Sequence, residues 1–133
     1  MHRQLASISG QPLDAAALES QVWSREHGAL VTFRGIVRDH DHGQAVSALD
    51  YEAHPDALGF LQACLDRLEL PAAAAHRVGS LAIGDVALVA VVAAGHRAEA
   101  FEACAALVDD IKATVPIWKR QHLADGVTEW VGL

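Results

Sequence analysis

The sequence predicts an α+β fold, because runs of paired strands separate the helices rather than alternating strictly with them. Three observations carry that expectation: helical stretches with apolar residues at spacings of three and four, an apolar run, VALVAVVAA, without polar alternation, and Gly- and Pro-marked turns between β-branched segments. The 133 residues, 52% of them hydrophobic, fit a single domain. A core of that size needs no disulfide or metal to hold it. No internal repeat, low-complexity tract or linker divides the chain.

The elements follow in order. Arg3 to Ser9 reads as a short strand closed by Gly10-Gln11-Pro12, and Pro12 suits the first turn of a helix over PLDAAALESQ. Gly28 to Val37, with Val31, Thr32, Phe33 and Ile36, is β-branched and aromatic and reads as a strand. The polar loop RDHDHGQ leads to a strand over Ala45 to Ala53, and the short connection predicts that these two strands pair antiparallel. Pro55 opens a helix with a Leu58, Leu61, Leu65 and Leu68 stripe, and Pro71 stops it. A strand near His76 to Ala82 and a Gly84-Asp85 turn lead into VALVAVVAA, which reads as a strand covered on both faces. The third helix runs from about Ala98 to Thr114, with Phe101, Cys104, Val108, Ile111 and Val115 on one stripe, until Pro116 forces Val115 out of helical geometry. Strands IWKRQHL and VTEWV then flank an Ala124-Asp125-Gly126 turn.

Ten Lys and Arg against seventeen Asp and Glu give a formal charge of −7, which argues against a nucleic-acid partner. No stretch approaches the ~18 uninterrupted apolar residues that a membrane helix needs, and the opening MHRQLASISG has no apolar leader segment, so a cytoplasmic protein is expected. Cys64 and Cys104 sit in apolar helical contexts and read as buried thiols.

Three segments are candidates for chemistry. The chain's two lysines, Lys112 and Lys119, bracket the Pro116 break, where Lys112 would also complement the negative end of a helix dipole and Lys119 would otherwise be a solvated strand residue beside Arg120. A desolvated lysine can act as acid, base or nucleophile. Gly95-His96-Arg97 stands where a buried strand gives way to a helix, so outward amides and a cation would suit an anion there; a surface Arg97 paired with Glu99 or Glu102 is the plainer alternative. Arg38-Asp39-His40-Asp41-His42-Gly43 offers imidazoles and carboxylates to a metal, or is simply a polar hairpin loop.

Taken together, GALVTFRGIVRDH, YEAHPDAL, HRVGSLAIGD, GHRAEAFEAC, IKATVPIWKRQ and EWV occur in an order that resembles the catalytic (large) subunit family of molybdopterin synthase. The resemblance implies an α/β hammerhead-type fold with antiparallel strands and three helices, and a homodimer within a heterotetramer. Each end of the dimer would receive a small ubiquitin-like sulfur-carrier subunit through its C-terminal Gly-Gly thiocarboxylate. The implied reaction converts cyclic pyranopterin monophosphate to molybdopterin by installing two sulfurs as a dithiolene, with no metal or redox cofactor. Laid on matching positions, the family pattern implies substrate binding by Ile36, Val37, Arg38, His96, Arg97, Lys112, Lys119, Arg120 and Gln121, with Lys112 and Lys119 catalytic. His96 and Arg97 would reach the site from the opposite protomer. Two departures stand out: Gln121 replaces a frequent acidic residue, and relatives commonly carry a basic tail beyond the position of Leu133.

Two other readings remain at this level. A metal-dependent hydrolase centred on Arg38 to His42 would contain stoichiometric metal. A binding module on the same fold would bind without turnover.

Overall fold

The computed structural model describes residues 4–41, 43–123, 126 and 128–132. His42, Ala124, Asp125 and Val127 lie outside the described residues, so the metal reading's second histidine and most of the final turn do too. Nine strands and three helices appear among the described residues: β1 (Gln4–Ser9), α1 (Ala15–Val22), β2 (Ala29–Ile36), β3 (His40–Asp41), β4 (Gln44–Ala53), α2 (Ala57–Asp66), β5 (Ala72–Arg77), β6 (Gly79–Ala82), β7 (Val86–Ala94), α3 (Arg97–Thr114), β8 (Ile117–Leu123) and β9 (Thr128–Gly132). The α+β class holds.

One sheet has the order β1-β5-β7-β2, with β1 parallel to β5 and the other pairs antiparallel. Strand β7 is the apolar run, and its two faces serve two cores. Val89, Val91 and Ala93 pack with Ala15, Val22 and Ala73 beneath α1, whereas Leu88, Ala90 and Val92 join the larger core with residues of α2 and α3. Alternation along an extended chain thus explains why no polar face exists.

The second sheet runs β3-β4-β8-β9, and β6 also pairs with β4. This corrects the expected pairing of the Gly28–Val37 and Ala45–Ala53 strands. Strand β2 pairs with β7 instead, because β7 is buried and needs a partner on each edge, and it takes β5 and β2. The chain then changes sheets at Val37, which exchanges backbone bonds with Gly84 and Asp85, and the short hairpin forms between β3 and β4.

Other boundaries also shift. The segment read as one strand from His76 to Ala82 is two, β5 and β6, in different sheets, separated at Val78 before the positive-φ Gly79. Helix α2 ends at Asp66, short of Pro71, and buries Ala57, Leu61, Cys64 and Leu65, which leaves Leu58 47% exposed. On α3, Ala100 takes the buried place expected of Phe101, which is 60% exposed. The expected end of α3 is found: Val115 is extended, with φ −79° and ψ 123°.

Candidate functional site

A cleft of about 390 Å³ opens where the two sheets meet the end of α3. The end of β2 and the residues after it supply Phe33, Arg34, Ile36, Val37 and Arg38. The last turn of α3 supplies Lys112, β5 supplies His76, and the inner face of the second sheet supplies Tyr51, Lys119 and Gln121. Both lysines of the chain therefore line one cavity. Among the described residues that line it none is a carboxylate, although the chain as a whole carries −7. Arg34, Arg38, Lys112 and Lys119 bring four fixed cations to this lining.

Strand alternation decides which residues of β8 arrive there. Lys119 and Gln121 point inward, with Gln121 only 2% exposed and registered against Leu49 of β4. Arg120 belongs to the opposite face, so the structure does not bring it into the cleft. There it donates to Asp50 at 2.9 Å and lies 5.4 Å from the centre of the Trp130 ring. Ser80 and His122 also donate to Asp50, both at 2.6 Å. The Ser80 bond first, then those from His122 and Arg120, hold the Asp50 carboxyl well below its ordinary range.

His96 and Arg97 are exposed at the start of α3 and do not line the cleft. Lys112 lies fifteen residues further along the same helix, about 22 Å at 1.5 Å per residue. The loop entering α3 is held close to the chain before β2, since a Cβ added at Gly28 would stand 2.7 Å from the Gly95 carbonyl oxygen.

Sequence reasoning missed His76, Tyr51, Arg34 and Phe33 as lining groups. His76 had a legible signal, following four consecutive alanines in its strand. It is 2% exposed, and burial pushes its imidazole down to about 4 from 6.5, aided by the charge of Lys112 and opposed by its bond to the Arg77 carbonyl. The ring is thus neutral in the folded protein and charged in the unfolded chain over about pH 4 to 6.5. Within that window the unfolded state binds more protons, so this contribution to stability is complete above pH 6.5 and is lost as pH falls toward 4. Urea unfolding at pH 7 and pH 4.5 should show wild type losing about 2 kcal/mol more than a His76→Gln variant. Equal losses would remove His76 as the cause. Asp50 acts in a lower window, below its ordinary 3.8.

Both cysteines are buried and free, and neither lines the cleft. Burial pushes both thiols above their ordinary value. His40 meets Asp39 at 2.9 Å, and among the described residues no three His, Cys, Asp or Glu converge as a metal site.

The family model described as MoaE protein matches residues 8–114. The chain belongs to the MoaE family. A relative from Mycobacterium tuberculosis, molybdopterin synthase catalytic subunit 1, is 40% identical over 94% of this chain and 88% of its own. The X-ray crystal structure of molybdopterin synthase from Staphylococcus aureus superposes with a TM-score of 0.86 at 30% identity, covering 95% of this chain and 96% of that one. A MoaE-like fold also occurs in a protein–protein complex of subunits 1 and 2 of molybdopterin-converting factor from Helicobacter pylori, with a TM-score of 0.69 at 22% identity, covering 97% of this chain and 88% of that chain. MoaE membership agrees with the family resemblance carried by the sequence motifs.

Proposed function

We propose that the chain is the sulfur-transferring catalytic subunit of a molybdopterin synthase, acting on cyclic pyranopterin monophosphate in the cleft between its two sheets. The observation that carries the reading is the meeting of both lysines with Arg38 in a cavity lined by cations. Arg38 and Lys119 would hold the phosphate and the thiocarboxylate by charge-assisted bonds. Lys112 would exchange protons with the reacting atoms. Ile36 and Val37 add apolar lining to the cleft, and Gln121 adds a neutral amide. Arg120 has its guanidinium on the far face and would act by holding β8 rather than by touching substrate.

The sulfur would come from outside the chain. Neither Cys64 nor Cys104 reaches the cleft, and burial disfavours the thiolate at both, so a cysteine relay has no support here. A small ubiquitin-like carrier ending in a Gly-Gly thiocarboxylate fits that requirement. His96 and Arg97 would act in the cleft of the other protomer, since their own lies about 22 Å away along α3. A homodimer carrying one small subunit at each end, located in the cytoplasm, completes the reading.

The test is reconstitution. Purified protein, thiocarboxylated carrier and cyclic pyranopterin monophosphate should yield dithiolene product, with two carrier tails returned as carboxylates for each pterin converted. Binding of both without product would leave a non-catalytic module.

A further inference from the structure

His76 has been given no part in the chemistry, yet it is among the residues lining the cleft while being 2% exposed. Its Nδ1 lies 2.7 Å from the Arg77 carbonyl oxygen, which can only accept, so Nδ1 carries the proton and Nε2 carries the lone pair. An edge-on contact with Tyr51, with ring centroids 5.0 Å apart at 66°, fixes the plane of the imidazole. Among the described residues, the titratable and charged groups that share the cleft are Arg34 and Arg38 around the end of β2, His40 of β3, Tyr51 of β4, Lys112 of α3 and Lys119 of β8. Every fixed charge among them is positive and so opposes a second proton on the ring. His76 therefore offers a neutral acceptor in a cleft rich in donors.

We propose that His76 is a substrate-binding residue whose Nε2 accepts a hydrogen bond from an N–H of the substrate's heterocycle, while the surrounding cations hold the anionic part. The inference rests on the sulfur-transfer reading and adds to it the group that orients the ring system. A buried acceptor built to meet a ligand N–H is left desolvated and unpartnered by a ligand that lacks one, so the residue would set specificity as well as affinity.

The experiment follows the histidine ¹⁵N resonances of the full-length wild-type protein as cyclic pyranopterin monophosphate is added without carrier, so that no turnover occurs. Saturation should move the His76 Nε2 resonance in the direction of hydrogen-bond acceptance. In parallel, His76→Leu should weaken pyranopterin binding by about tenfold, His76→Gln should recover most of that loss through its amide oxygen, and inorganic phosphate should bind all three proteins alike. A stationary Nε2 resonance at saturation of the wild type, or wild-type affinity in a folded Leu variant, overturns this inference alone. Failure of the wild type to bind the pyranopterin at all overturns it together with the reading on which it rests.

Discussion

Replacing Lys112 with alanine should reduce product formation by about 10³-fold, within the range that removal of a general acid or base produces. The same change should leave the fold almost untouched. Lys112 is exposed in the last turn of α3, so its loss removes only a dipole interaction of a few tenths of a kcal/mol, and alanine is a strong helix former. Lys112→Arg separates charge from proton exchange: arginine keeps the cation but cannot give up its proton near neutral pH, so it should restore binding without restoring turnover. Single-turnover measurement with thiocarboxylated carrier decides the matter, and a rate within threefold of wild type in the alanine variant would take Lys112 out of the chemistry.

Two impaired proteins should make one intact site when mixed. If Arg97 works in the cleft of the neighbouring protomer, a Lys112→Ala protomer joined to an Arg97→Ala protomer carries both lesions in one cleft and neither in the other. Confirmed heterodimers should therefore show about half the wild-type activity per dimer, whereas each parent homodimer carries a lesion in both clefts. The geometry makes the result informative, because one rigid helix keeps Arg97 about 22 Å from Lys112 within a single chain. Heterodimers no more active than the better parent would show that the two residues do not share a cleft across protomers.

Legibility in the sequence followed the physics of each segment. The apolar VALVAVVAA run announced a doubly covered strand because no polar residue interrupts it, and Pro116 announced the end of α3 because proline constrains the residue before it. Strand β5 was hidden since four consecutive alanines carry no β-branched signal; their small side chains instead let helices approach both faces. The β2 to β4 error came from judging partners by loop length, when the demand of a buried central strand for two neighbours dominates. At the site, the lysines stood out by rarity. Arg120 stands outside the cleft because neighbouring strand residues cannot share a face, and His76 went unnoticed because its surroundings depend on which strands flank it.

The outer cluster around Asp50 has a bearing on the inner one. A slip of β8 by a single residue would turn Lys119 and Gln121 to solvent and swing Arg120 and His122 inward, inverting the cleft's chemistry without breaking the sheet. Asp50 grips Arg120 and His122 from the adjoining strand and so penalises that slip from behind. The far side of the sheet thereby acts as a phase lock, deciding which cations face the cleft while lying outside it.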